Sequence, residues 1–252
     1  MMKYARSNSG IYIRRRLAPR AKQRGMFAMG PGFYASAAGG GPVDPYFAYV
    51  QSLMHFDGTN GSTTTTDVIS GRVWTSTGGV LSTTAAEFGP TGLNAASGGF
   101  NSTASAAFNM GTGDYCLEGW IRAAGSSDRC FLDTRYAGAG IACYINSSGY
   151  FGVTDNTQYI GAGSTAVSTT ALQYVMVARY SGTIYAYLSG ALQFSVADSR
   201  SYATNTAITL GNNSNNGQNF QGYMDEFRIT VGVARTTGGS TVPVPTAAFP
   251  NS

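Results

Sequence analysis

A chain of 252 residues with 34 glycines, 16 tyrosines and 13 phenylalanines, but only 11% charged side chains, reads as a turn-rich β protein. Its net charge of +4 is unevenly spread: eight basic groups stand against one acid before residue 51, and eight arginines against eleven acids after it, so the excess belongs to the N-terminal region and says little about the globular part. No apolar run approaches the roughly 20 residues of a membrane helix, the N-terminus has no apolar core of a secretory signal, and three cysteines are too few to frame a fold with disulfides.

In chain order, residues 1–43 read as an irregular arm, because RRR followed by GMFAMGPGFYASAAGGGP is too rich in Gly, Pro and small residues to bury a core of its own. The arm is not a plain tether, since Met26, Phe27, Met29, Phe33 and Tyr34 are spaced along it as apolar anchors. With the basic Arg14, Arg15, Arg16, Arg20, Lys22 and Arg24 they suit an arm that orders against an acidic partner surface. The basic cluster lacks the aromatic interleaving of single-strand binders, so contact with a genome is not expected of it.

From Pro45 onward strand signals recur between Gly/Ser/Asn turns. In YCLEGWIR (115–122) alternation puts Tyr115, Leu117, Gly119 and Ile121 on one face and Cys116, Glu118, Trp120 and Arg122 on the other. RCFLDTR and IACYINS are strand-like, which leaves a Cys130–Cys143 cross-strand pair open beside the plainer expectation of three reduced, buried thiols. YVMVARY (174–180), a turn at Ser181-Gly182 and TIYAYL (183–188) form a hairpin, and Ser189-Gly190 turns the chain into ALQFSV (191–196). YMDEFRIT (223–230) is the last strong strand. No internal repeat occurs, and about 200 residues suffice to cover two packed sheets.

The order of these runs is similar to a known family. LMHFDGTNGSTTTTD (53–67), EFGPTGL (87–93), MGTGDYCLEGWIR (110–122), YVMVARYSGTIYAYLSGAL (174–192), ITLGNN (208–213) and GYMDEFRITVGVAR (222–235) together resemble the concanavalin A-like, laminin G-like jelly-roll domain of bacteriophage virion proteins. The opening DPYFAYVQSLMHFDG (44–58) and the closing VPTAAFP (244–250) resemble that phage group as well, so the likeness covers roughly residues 44–250. It implies an all-β fold of two antiparallel sheets stacked as a jelly roll over 44–252, carried behind the arm. It also implies a virion protein, assembled in the host cytoplasm, in many copies or as a homo-oligomer, touching other capsid or tail subunits and no membrane. It does not imply one activity, because this sandwich serves lectins, glycosidases and non-enzymatic modules alike.

Function therefore has to come from sites. Glycoside cleavage needs two carboxyls converging on one bond, about 5 Å or roughly 6.5–9.5 Å apart. The superfamily's glycosidases place Glu at alternate positions of one strand, whereas YCLEGWIR offers Glu118 alone. In GYMDEFRIT strand alternation sends Asp225 and Glu226 to opposite faces, with Asp225, Phe227 and Ile229 sharing one. The expectation is that Glu118 or Glu226 pairs structurally with Arg122 or Arg228 across neighbouring strands, and that the chain is not an enzyme. His55 stands alone and is expected to be packed or satisfied. No cofactor is expected. Calcium is the one ion the family brings into view, with Asp57 and Asn60, or Asp128 and Asp133, as its candidate ligands, although none forms a dense oxygen-ligand loop. In GNNSNNGQNF (211–220) the amides of Asn212, Asn213, Asn215, Asn216 and Gln218 suit sugar hydroxyls, and they suit tight turns equally well. A host glycan is thus the second partner to weigh, and a carbohydrate-binding adhesin the second reading.

Overall fold

The computed structural model describes residues 43–124, 128–136, 138–155, 158–202 and 206–252. The arm residues named above, from Arg14 to Tyr34, lie outside the described residues. Among the described residues sixteen strands follow in chain order: β1 (Val50–Met54), β2 (Thr64–Thr66), β3 (Val73–Ser76), β4 (Val80–Ser82), β5 (Gly92–Asn94), β6 (Phe100–Asn101), β7 (Tyr115–Arg122) and β8 (Arg129–Asp133). The second half supplies β9 (Ala142–Ile145), β10 (Tyr150–Thr154), β11 (Tyr159–Ala166), β12 (Gln173–Tyr180), β13 (Thr183–Leu188), β14 (Ala191–Ala197), β15 (Thr209–Leu210) and β16 (Tyr223–Val231). They build two antiparallel sheets of eight strands: β14-β13-β12-β7-β16-β5-β4 with β1 also on β16, and β11-β10-β9-β8-β15-β6-β3-β2. This is the all-β jelly-roll sandwich that the resemblance implies.

The strand periodicity makes the core. Tyr115, Leu117 and Ile121 of β7, Val175 and Val177 of β12, and Phe227 and Ile229 of β16 point inward, where they meet Cys143, Ile145, Phe151 and Val153 of the second sheet. Both hairpin turns have two consecutive left-handed residues, Ser181 (φ 50°) with Gly182 (φ 75°) and Ser189 (φ 48°) with Gly190 (φ 81°). That primed geometry matches the twist of the flanking strands and explains why two residues suffice at each turn.

The opposite face of the first sheet is also covered. Cys116, Trp120, Tyr174, Met176 and Tyr187 lie in a second apolar layer closed by Val242 and Phe249 of the C-terminal segment. That segment is stitched down by backbone bonds, Leu192 N–H to Ser240 O (2.9 Å) and Val242 N–H to Gly190 O (2.8 Å), and Asp44 N–H reaches Ser252 O (2.9 Å). The alternation read from β7 is therefore real, but neither face is solvated, and the strand is buried from Tyr115 to Ile121.

One irregularity alters the reading of GYMDEFRIT. Asp225 lies opposite Trp120 and Arg228 opposite Glu118, so three steps on β16 span two on β7. The extra residue is a bulge, with Glu226 in the left-handed region at φ 50°. Asp225 consequently leaves the face of Phe227 and Ile229 and joins the covered outer face. The expected opposition of Asp225 and Glu226 fails for this reason: each accepts a bond from a segment, around Phe88 and Phe249 respectively, that packs on the Trp120 ring.

Candidate functional site

Beneath the C-terminal segment lies a charge cluster that the fold assembles from residues far apart in the chain. Arg228 donates through Nε to Glu118 Oε1 (2.9 Å) and through Nη1 to Asp44 Oδ2 (2.9 Å). Arg235 reaches the same two carboxylates, with Nη1 and Nη2 on Asp44 (2.8 and 2.7 Å) and Nε at 3.1 Å from Glu118. The Tyr174 hydroxyl donates to Glu118 as well. Two carboxylates and two guanidiniums thus neutralise each other in a buried site, and the forked guanidinium is the group whose geometry can bridge two acids. Burial alone would raise the Asp44 carboxyl, but its bonds to Arg235 and the charges of Arg235 and Arg228 outweigh that and hold it below its usual value. The Arg228 guanidinium also stacks over the Phe249 ring at 3.8 Å. A cavity of about 290 Å³ separates Glu118, Tyr174 and Arg235 from the Val242–Pro250 stretch above them.

Beside this cluster the C-terminal segment is latched a second time. His55 Nδ1 meets Glu226 at 2.7 Å, its Nε2 meets Asn251 Oδ1 at 2.8 Å, and Phe249 N–H donates to Glu226 (2.8 Å). The Glu226 bond pushes His55 up to about 9 against the opposing effect of burial. Asp225 is pushed up to about 8 by burial, although its Oδ2 accepts the backbone N–H groups of Glu87 (2.7 Å) and Phe88 (2.9 Å).

The structure thus brings Glu118 and Arg228 together as expected, and redirects the other two members of the expected pairs. Glu226 partners His55 rather than an arginine, and Arg122 lies over the Tyr223 ring at 4.0 Å with no carboxylate partner among the described residues. His55 is satisfied, as its position suggested. Asp44 and Arg235, which complete the cluster, have no signal in local sequence: they are 191 residues apart in the chain and meet only in the folded sandwich.

A second region lies on the outward face of the other sheet. There Arg135 and Gln218 join two adjoining hollows. One, of about 1040 Å³, lies against Tyr136, Asn213 and Asn215, and the other, of about 320 Å³, lies against Asp128, Cys130 and Tyr144. Asp133 holds the arginine that the two hollows share. Its buried carboxylate accepts from Arg135 Nε (2.9 Å) and Nη2 (2.8 Å) and from Ser214 N–H (3.0 Å), which ties β8 to the 211–220 loop. Asn212 is buried with its Oδ1 accepting from Asn213 and Gln218 N–H, and Asn213 Oδ1 accepts from Gly217 N–H (2.7 Å), so these two amides shape the loop. Asn212 therefore cannot reach a sugar. Asn215, Asn216 and Gln218 are exposed, and Asn216 Oδ1 accepts from Asn212 Nδ2 (3.4 Å).

Two of the calcium candidates already have protein partners. Asp133 is committed to Arg135 and Ser214, Asn60 Oδ1 accepts from Thr83 N–H (3.2 Å), and no cluster of three or more His, Cys, Asp or Glu that could hold a metal occurs among the described residues. The three cysteines are free and buried. Cys130 faces Tyr144 on the outer hollow while Cys143 faces the core, so the cross-strand pair that the sequence left open does not form.

Two stacked antiparallel sheets with this strand order define a lectin-like jelly roll. The chain belongs to the concanavalin A-like lectin/glucanase superfamily, whose laminin G-like model matches residues 96–235. Among solved structures it is similar to domain 4 of AbnA, an extracellular arabinanase from Geobacillus stearothermophilus in complex with arabinotriose, at 17% identity and a TM-score of 0.57, covering 75% of this chain and 94% of that one. A sialidase from Trypanosoma rangeli aligns at 11% identity with a TM-score of 0.55, over 75% of this chain and 32% of the sialidase. The binding domain of Paraclostridial Mosquitocidal Protein 1 aligns at 11% identity with a TM-score of 0.54, over 75% of this chain and 51% of that one. The chain therefore spans about a third of the sialidase's length and half of the toxin domain's, and at these identities the likeness is one of fold. No curated protein matches the sequence.

Proposed function

We propose that this chain is a non-enzymatic structural protein of a bacteriophage particle, a capsid decoration or tail-associated subunit, present in many copies and anchored by residues 1–43. The observation that carries this reading is the junction between arm and sandwich. Asp44, the first residue after the arm, is 3% exposed and gripped by two buried arginines. An arm that holds a folded domain to a particle needs a rigid point of exit, and a freely displayed lectin does not. The occlusion of Glu118 supports the non-enzymatic part, because the one acid on its strand face is engaged by Arg228, Arg235 and Tyr174 and roofed by the C-terminal segment. The purified protein is expected to release no reducing ends from a broad polysaccharide panel, and turnover abolished by Glu118→Gln would reverse that expectation. The deciding experiment follows a chain lacking residues 1–43 into assembling particles. It is expected to stay folded, with unchanged melting, and to be absent from the particles. Wild-type occupancy would sink the anchoring role.

A second reading, a carbohydrate-binding adhesin that contacts the host surface, is favoured by the hollows at the 211–220 loop. Their exposed amides and tyrosines have the mixture of polar and aromatic groups used to hold sugars.

A further inference from the structure

The two hollows form one groove across β8, β9 and β10, and Tyr144 forms part of its wall. β9 alternates, so Cys143 and Ile145 enter the core while Tyr144 faces outward. Its neighbour across the ladder is Gly152 of β10. A Cβ at 152 would sit 2.8 Å from Tyr144 Cζ, so the absent side chain is what lets the ring lie down along the sheet. Tyr159 of β11 meets that ring edge-on, with centroids 6.4 Å apart and planes at 66°, and is itself 56% exposed. Gly152 and Tyr159 thus flank the ring, which lines the smaller hollow.

The polar groups sort by what remains available. The Arg135 guanidinium is taken up by Asp133 in a two-point bridge, and it offers no free charge to an anionic ligand. Asp128 is exposed on the groove beside Tyr144 with no ion pair among the described residues, so the local field disfavours a carboxylate or sulfate. Gln218 bridges the two hollows, and among the described residues its side-chain nitrogen has no acceptor, while Asn215 stands exposed at the far end.

We infer that this groove binds a neutral oligosaccharide, with one sugar stacked on the outward face of Tyr144 and its neighbours hydrogen-bonded to Gln218, Asn215 and Asp128. An aromatic face takes the apolar C–H side of a sugar while amides and a carboxylate take its hydroxyls, and the two hollows give room for more than one unit. The inference rests on the adhesin reading and adds to it a location and a ligand class.

The test titrates the full chain with short neutral gluco-, manno-, galacto- and arabino-oligosaccharides and, in parallel, with oligogalacturonate and sialyllactose, by calorimetry and protein-observed NMR. At least one neutral oligosaccharide should bind, with both acidic ligands roughly tenfold weaker. Tyr144→Ala and Gln218→Ala should each weaken the neutral ligand about tenfold or more at unchanged melting temperature, the loss expected when a stacking face or a hydrogen-bond donor to the ligand is removed. Asp128→Asn should narrow the gap between neutral and acidic ligands. Gln218 is exposed, so its variant keeps the test open if Tyr144→Ala unfolds. Should neutral sugars bind with both variants unaffected, the groove is overturned while the adhesin reading stands. Equal binding of acidic ligands overturns the ligand class, and binding by no member of the panel overturns the inference together with the adhesin reading.

Discussion

Arg228 shows what a single residue contributes. It is 0% exposed and serves two carboxylates on different segments. Arg228→Ala would leave Glu118 and Asp44 sharing Arg235 alone, and removing one partner of a buried pair costs about 3–5 kcal/mol. For a domain of this size that is on the order of 10 °C in melting temperature. Arg228→Lys should recover only part of it, because an ammonium cannot fork between two acids. A melt within about a degree of wild type would show that the cluster is energetically idle. A second residue-scale expectation concerns pH. His55 holds its proton up to about 9 when folded against an ordinary 6.5, so its stabilisation is complete below about 6.5 and disappears as pH climbs through 9. Asp225 acts with the same sign over a lower range, from its ordinary 3.8 to about 8. Melting temperature should therefore fall between pH 6.5 and 9, and His55→Asn should flatten the upper part of that fall. A wild-type profile level across this range would remove the latch at Glu226 from the account.

Among the elements, the long strands were legible and the exceptions instructive. β7 and β13 fall where alternation and the Ser-Gly turns put them, because a half-dozen residues of strict period leave little else to choose. The bulge in β16 was not legible: its left-handed residue is a glutamate, and nothing in the sequence announces a positive φ at a residue other than Gly or Asn. The short strands β6 and β15, two residues each, were beyond periodicity too, since they exist only through pairing with each other and with their neighbours. The groove shows the same limit. The amide-rich loop was readable as a candidate, whereas Tyr144 and Gly152 acquire meaning only once the ladder sets them side by side. Gly119 tests how tightly the bulge is seated. A Cβ there would meet Phe227 Cδ2 at 2.7 Å, so Gly119→Ala should cost about 1–3 kcal/mol through overpacking. Paired with Phe227→Leu, which makes room, the cost should shrink. A cost unchanged by the second substitution would place the strain elsewhere.

At the scale of the whole molecule, the first sheet is a middle layer, with the main core on one face and the terminal segments on the other. The sequence disclosed the jelly roll, but not the way Asp44 and the C-terminal segment are fastened to it. Residues 43 and 44 part company in this respect: Val43 is 44% exposed and Asp44 3%. A deletion through residue 43 should leave melting unchanged, whereas Asp44→Ala should resemble Arg228→Ala. Equal melting of all three variants would contradict the division of the chain at this point.

That fastening has a mechanical meaning. Tension applied at residue 43 would reach Asp44, through its backbone bond to Ser252 and its carboxylate, before the hydrogen bonds of β1. Two arginines pass the load to β16 and the stretch just after it, and β16 is itself braced by β7, β5 and β1. A lone flanking strand under the same pull would unzip one bond at a time. Here several must yield together, which raises the force at rupture. Stretched in an optical trap from residue 43 against a central handle, the wild type should rupture at clearly higher force than Asp44→Asn. Identical rupture forces would mean that the carboxylate bears no tension, and that the arm pulls on the sheet through β1 alone.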